Sequence, residues 1–303
     1  MGRLDSLRVV DPVLTTIARG YKNEELVGDL LFPVVEVTKE GGKIPIWGKE
    51  AFKIYNTKRA PRANSNRMNP EDRTTIDFVI EEHDLEYPID YREKEEDIFA
   101  SEKHATKVVT DALALQKEYE QAMIAQDLAN YPTGNKVTLT GTSQFTDSSS
   151  DPIGVVEDGK KAISDKIGRD PNLLVIGDPT FRTLRNHPQL VEKIKYSMKG
   201  VLTLDLLREI FDIDKIVVGK AVSADDNGNF VKIWSDNMIL AYVPQVETEE
   251  DPAFGLTLRK KGYPKIDKYF SNGGKIEYVR NTDFWTVKLV GAVAGYLIKD
   301  TNA

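Results

Sequence analysis

The chain has 303 residues and no cysteine. That excludes disulfide scaffolds, thiol nucleophiles and cysteine-ligated zinc or iron–sulfur centres, and it fits a cytosolic protein. Histidine is nearly as scarce. His83, His104 and His187 stand apart, with no i, i+4 pair and no HExxH context, so metal-dependent hydrolysis lacks its usual ligands. His104 falls on a predicted helix as a surface or interface residue, and His187, in "RNHPQ", takes a capping or loop role. No run approaches the roughly 18 apolar residues of a membrane span. The opening "MGRLDSLRVVDPVLTTIARGYKN" lacks the apolar segment of a signal peptide. Met1-Gly2 with Ser6 satisfies the loose myristoylation pattern, and nothing else in the sequence supports lipidation. Phosphate loops are missing too: "GGK" at 41–43 lacks Walker spacing, and neither GxGxxG after a strand nor GxSxG occurs. "VIGDPT" at 175–180 marks a strand-to-helix turn, for which Asp178 as cap and Pro179 at the first helical position are sufficient reason.

What is present is ordinary in bulk. Forty per cent apolar and 29% charged residues describe a globular chain, large enough for one big domain or two medium ones. A net charge of −7 and a pI near 5.3 argue against general nucleic-acid affinity and against an anionic membrane surface.

Locally the charge reverses. Residues 48–68, "GKEAFKIYNTKRAPRANSNRM", carry Lys49, Lys53, Lys58, Arg59, Arg62 and Arg67 against Glu50 alone. The stretch lies between the strand-like runs "GKIPIWG" and "TTIDFVIEEHDL", which predicts a long β-hairpin or finger. It holds too little apolar surface to pack alone, so a partner is expected. Phosphate contact is one reading of the cations. Against it, Phe52 and Tyr55 are the only rings for base stacking, and the next segment, "EEHDLEYPIDYREKEED", is acidic. A basic finger on one copy reaching the acidic root of the next, with Glu93, Glu95 and Glu96 as receivers, would fix register between copies. A solvated basic loop is the bland alternative.

From Glu93 to Ala129 the chain has neither Pro nor Gly. Ala105, Val108, Ala112, Leu115, Tyr119 and Ala122 recur at spacings of three and four, predicting one helix about 55 Å long with that stripe inward. The alternative of a coiled coil is disfavoured by the short, alanine-rich stripe. Asp11-Pro12 opens an early helix. Asp151-Pro152 opens another, followed by a strand–helix–helix–strand rhythm ("NLLVIG", "DPTFRTLRNHPQLVEKI", "VLTLDLLREIF", "DKIVVG") that predicts an α+β or α/β module. Asn227-Gly228 signals a tight hairpin, and "MILAYVP", "FGLTLRKKGY", "KIEYVRNTDFWTVKLV" and "AGYLIKD" read as strands.

This order of parts, and the phrases "GDLLFPVVEVTKEGGKIPIWGKEAFKIYNTKRAPRANSNRM", "PNLLVIGDPTFRTLRNHP" and "FWTVKLVGAVAGYLIKD", resemble the major capsid proteins of tailed bacteriophages. Their fold is the Hong Kong 97-type fold shared with encapsulins, here closest to the lambda-coat-like branch. The resemblance implies an α+β chain with an N-terminal arm (1–40), an extended loop lying over a neighbour (41–90), and a spine helix with the first part of a peripheral domain (91–169). An axial domain (170–260) and a C-terminal return to the peripheral domain (261–303) follow. It implies self-assembly into hexamers and pentamers of an icosahedral head around double-stranded DNA held without sequence-specific contacts. Portal, scaffolding and decoration proteins are the implied further partners, with no membrane, cofactor, metal or catalytic residue, and assembly in the host cytoplasm into the virion. Some relatives form Lys–Asn crosslinks. Lys53 and Lys58 lie in the corresponding loop, but no partner Asn can be assigned, and no crosslink is expected. The alternatives are an encapsulin-like compartment and, from other classes, an enzyme with a carboxylate site or a nucleic-acid-binding module.

Overall fold

A computed structural model describes residues 26–46, 53–67, 74–96, 102–194, 202–225, 227–244, 252–271 and 273–303. The helix expected after Asp11-Pro12 and the side chain of Lys49 lie outside these residues, as do the side chains of Glu93, Glu95 and Glu96. A single helical turn, α1 (Gly28–Leu31), leads into β1 (Val34–Val37). Next, β2 (Gly41–Ile46) and β3 (Thr74–Val79) pair antiparallel from Gly41↔Val79 to Ile46↔Thr74. This is the stem of the finger that the alternating sequence predicts.

The expected run through residue 85 is in fact two strands. At Ile80 the backbone N–H turns back to Glu40 O (2.7 Å), and β4 (Glu81–Asp90) leaves the finger to pair with β13 (Ile276–Leu289). Pro88 is tolerated within β4 because the strand has a partner on one side. The acidic segment therefore begins as a sheet strand and continues as a short helix, α2 (Tyr91–Glu96).

The spine ends three residues earlier than the sequence suggests, and a different face of it is buried. Helix α3 spans Glu102–Gln126, 25 residues or about 37 Å. It stops where Asp127 turns extended and its carboxylate accepts from Ala129 N (2.9 Å), opening a 3-10 turn at Leu128–Asn130. Val108 and Tyr119, assigned inward from spacing, are 37% and 43% exposed. The buried face is Ala105, Thr106, Val109, Thr110, Leu113, Glu118, Gln121, Ala122 and Ala125. Four of those nine residues are polar, because the helix meets a polar strand: Asn281 of β13 donates to Thr110 Oγ1 (3.2 Å), and Trp285 Nε1 donates to Glu120 Oε2 (2.9 Å). An apolar-spacing rule cannot find such an interface.

Beyond α3 come β5 (Lys136–Thr138), α4 (Pro152–Ile167), β6 (Leu173–Gly177), α5 (Asp178–Leu184), α6 (Pro188–Ile194), α7 (Leu204–Phe211) and β7 (Lys215–Gly219). The hairpin β8 (Val222–Ala224) and β9 (Phe230–Lys232) follows, then β10 (Met238–Ala241), β11 (Gly255–Lys260), β12 (Lys265–Phe270), β13 and β14 (Gly295–Lys299). Helix α4 obeys its punctuation: the Asp151 carboxylate accepts from Gly154 N, Pro152 starts the helix, and Gly168 closes it at φ 70°. Asn227-Gly228 does lie in the β8–β9 turn, where Asp225 Oδ1 accepts from Asn227 N and Asn229 N (2.9 and 2.7 Å). The sequence reading passes over β12, whose "KIDKYF" buries a charge, Asp267, against Arg280.

Two five-stranded sheets result. One runs β1-β11-β13-β12 with β4 also on β13; the other runs β5-β14-β10-β6-β7. The second is buried on both faces, so "LLVIG" and "MILA" are continuous apolar runs instead of alternating ones. Leu174, Ile176, Met238 and Leu240 pack with Val156 and Ile163 of α4 and Leu207 and Phe211 of α7. Their neighbours Leu173, Val175, Ile239 and Ala241 pack with Leu113, Ala122 and Ala125 of α3, and with Trp234, Phe254 and Trp285. That second cluster joins the two sheets into one core.

The end of β6 tolerates no side chain. A Cβ on Gly177 would lie 1.9 Å from Ser235 O. Gly177→Ala is expected to lower the unfolding free energy by about 1–3 kcal/mol through displacement of the 233–236 turn, measured by denaturant titration of the subunit. An unchanged midpoint would show that the turn yields freely.

Candidate assembly surfaces and the arm clasp

The basic finger is fully outside the core. Every residue from 53 to 67 is exposed, including Lys53, Lys58, Arg59, Arg62 and Arg67, and Ile54 is 101% exposed. The segment is still shaped. Asn66 Nδ2 donates to Asn56 O (2.6 Å) and Lys58 O (3.1 Å), and Arg59 Nη1 donates to Ala63 O (2.8 Å). Arg62 takes φ 68° in the turn between the limbs. Two side chains, Asn66 and Arg59, thus hold together what apolar packing does not.

At the acidic root, helix α2 carries Glu93, Glu95 and Glu96 in its backbone, and Lys94, itself exposed, reaches across to two carboxylates. Lys94 Nζ reaches Glu277 (2.7 Å) on β13 and Glu102 (2.9 Å) at the head of α3. Lys268 of β12 also pairs with Glu102 (3.1 Å). Hydrogen bonds to Glu277 and then Glu102 raise the Lys94 pKa above 10.5, and the bond from Lys94 lowers that of Glu102 below 4.5. A lowered carboxyl stabilises the fold above pH 4.5 and loses that contribution as pH falls through its folded value. A raised ammonium stabilises it below pH 10.5 and loses that contribution as pH rises through its folded value. Lys94→Met should therefore cost most in melting temperature between those limits and converge on the parent outside them. A constant deficit across the pH range would refute the triad's role.

The clasp that Glu118 and Gln121 make on residues 27–29 was not visible from apolar spacing. Glu118, 1% exposed in mid-helix, accepts from Val27 N (2.9 Å), Gly28 N (2.7 Å) and the indole of Trp234 (2.6 Å). Burial raises its pKa against the three donors, which pull the other way. One turn along, Gln121 Nε2 donates to Asp29 Oδ1 and Thr257 Oγ1, both at 2.9 Å, and Lys117 pairs with Asp29 at 2.7 Å. A Cβ on Gly28 would sit 2.1 Å from Gln121 Oε1, so glycine allows the arm to lie this close. The signal was there: Glu118 and Gln121 share a face with Ala122 and Ala125, where small residues mark close approach.

The remaining buried carboxylates are in structural pairs. Asp283 is bidentate with Arg259, Asp267 with Arg280, and Asp178 pairs with Lys232 (3.0 Å) and Arg182 (3.1 Å). Asp178 thus faces cations and does not cap the helix it begins; the preceding Gly177 is the cap position. His104 is exposed, with its ring edge-on to Tyr87, as expected. His187 is 2% exposed, its Nε2 3.0 Å from Ser150 Oγ. Ser150 gives its proton to Asp147 O (2.8 Å), and no carboxylate orients His187 Nδ1, so the pair lacks the third member of a catalytic relay. His83 stacks on Trp285 with ring centroids 3.6 Å apart. Among the described residues no group of three metal-ligating side chains occurs, and no helix is long and apolar enough to cross a membrane.

A segment around Gly28 clasped to a long helix, a finger on a two-stranded stem and two sheets sharing a core describe this subunit, and its mixed helix-and-sheet fold matches capsid structures of the Hong Kong 97 type. A virus-like particle protein from Pyrococcus furiosus superposes with a TM-score of 0.57 at 11% identity, over 94% of this chain and 96% of that one. A phage-related protein from Bordetella bronchiseptica RB50 superposes with a TM-score of 0.81 at 37% identity, over 97% and 98%. The major capsid protein of Burkholderia phage BcepMu is 55% identical over 307 residues, covering all of both chains. Residues 22–251 match the family Phage major capsid protein E. The chain belongs to that family and is similar throughout to a phage major capsid protein.

Proposed function

We propose that this major capsid protein closes into hexamers and pentamers that form an icosahedral head, enclosing double-stranded phage DNA without reading its sequence. Its role is structural, not catalytic. The observation that carries the reading is the finger: 53–67 are exposed to the last residue, while among the described residues the long helix and the two five-stranded sheets are packed into one core. A heterologous contact repeated about closing axes suits such an element, because it buries its surface only against a neighbour. In this reading 1–40 is the arm, 41–90 the extended loop, 91–169 the spine and first peripheral part, 170–260 the axial domain and 261–303 the peripheral return. Lys49, Lys53, Lys58, Arg59, Arg62 and Arg67 meet Glu93, Glu95 and Glu96 of the adjacent copy. Portal, scaffolding and decoration proteins complete the particle, which is assembled in the host cytoplasm. Electron microscopy of the purified protein tests this. Rings or closed shells are expected, and a protein that stays monomeric under every assembly condition would sink the proposal. A shell filled with a host enzyme instead of DNA would point to an encapsulin-like compartment.

A further inference from the structure

The doubly covered sheet is electrically polarised along its strands. β6 and β7 run parallel and in register, Leu173↔Lys215 to Gly177↔Gly219, so both strands begin together and end together about 13 Å further on. At the outgoing ends lies a cleft of about 590 Å³ lined by Arg182, Arg185, Lys220, Lys232, Phe181 and Asp178. Four cations surround one carboxylate, and Lys232 and Arg182 already pair with it. Crevices at the carboxyl ends of parallel strands are where α/β sheets take ligands, and the charge here calls for an anion. At the incoming ends the sign is opposite. Asp170 precedes β6, Asp212 and Asp214 precede β7, Glu209 is on the last turn of α7, and all four are exposed. Three cations share that end: Lys215; Lys160, whose Nζ lies 3.9 Å from Asp212 Oδ2 while also pairing with Glu157; and Arg169, which is turned onto Tyr242 with Nη1 at 2.6 Å from its hydroxyl, so Asp170, Asp214 and Glu209 are the acids the contact rests on.

We propose that the basic cleft receives the acidic incoming end of the same sheet in a neighbouring copy. A single copy cannot make this contact with itself, because the two ends face away from each other across the length of the strands. Repeated head to tail, however, it satisfies both ends of every copy, as a closing ring requires. The proposal rests on the shell reading and adds to it a specific ionic contact, separate from the finger. It is favoured over packaged DNA as occupant because the complementary anions are on the molecule itself.

The test is a charge swap at exposed residues outside the Asp178 pairs. R185E/K220E makes both ends acidic, and D170K/D214K makes both basic. Each should keep the parent melting temperature, lose rings and shells on its own, and form six-membered rings when mixed with the other, since strict alternation closes a hexamer but not a pentamer. The fourfold variant should assemble alone. Assembly of the parent should weaken with salt, since the Debye length is about 10 Å at 0.1 M. Normal assembly by R185E/K220E would overturn the proposal, as would a folded fourfold variant that makes no rings. Unaltered shells that lose retention of a labelled DNA oligonucleotide would assign the cleft to nucleic acid and equally overturn it. If the parent makes no shell, the shell reading falls first; if the parent assembles and the swaps do not matter, only this contact falls.

Discussion

Removing the Glu118 carboxylate is expected to destabilise the subunit by about 3–5 kcal/mol, among the larger effects a single substitution produces. In Glu118→Ala three donors lose their acceptor inside the core: two backbone amides of the arm and the Trp234 indole. Each unsatisfied buried group costs on the order of 1–3 kcal/mol, and relaxation of the arm toward water recovers part of the sum. Glu118→Gln keeps the shape but turns an amide N–H₂ toward N–H donors, so an intermediate loss is expected. Denaturant titration of unassembled subunits provides the comparison. The pH dependence has a definite sign. Because burial raises the folded pKa of Glu118 above 4.5, the parent loses some stability as pH rises from 4.5 through that folded value. Glu118→Gln should lack this slope. If Glu118→Ala melts with the parent, the clasp contributes nothing and the arm is held elsewhere.

Deleting residues 49–67 should have the opposite profile: closed shells abolished, subunit stability almost unchanged. The described part of that stretch is exposed throughout and contributes no residue to the apolar core, so it takes little apolar area from water, whereas its removal takes away the contact proposed to link neighbours. The stem remains, since Ile46↔Thr74 closes the β2–β3 ladder and the residues left at 47–48 and 68–73 span the gap. Thermal melting and negative-stain images of the same preparation check both halves. An unfolded product would make the finger part of the core, and intact shells would end its role in assembly. Reversing Lys58, Arg59 and Arg62 to Glu should weaken shells with less effect than deletion, as rim charges set register more than affinity.

Much of this architecture was legible because it rests on local chemistry. Asp151-Pro152 and Gly168 fix α4 at both ends, Asn227-Gly228 marks its hairpin, and "LLVIG" and "MILA" announce strands with no wet face. What stayed hidden depends on polar partners distant in sequence. Thr106, Thr110, Glu118 and Gln121 look like solvent residues until Asn281, Trp234, Asp29 and Thr257 are placed opposite them. Val108 and Tyr119 had the spacing of core residues and lie at the surface. The finger's charges were evident at once, but not that Asn56 and Asn66 shape it. The basic cleft was the least visible surface. Its cations come from α5, from the residue after β7 and from β9, and no window along the chain contains them together.

The sheet holding β6 and β10 is clad on both sides, and one of its claddings is the spine itself. A layer fixed above and below has no free plane along which to shear. Bending the subunit would mean opening apolar contacts made by Trp234, Phe254 and Trp285 with α3. Curvature in a closed surface of such units is then absorbed at the margins, in the finger that leaves the body where β3 gives way to β4. The body acts as a rigid tile, and the angle between tiles is set by how the extremities are laid.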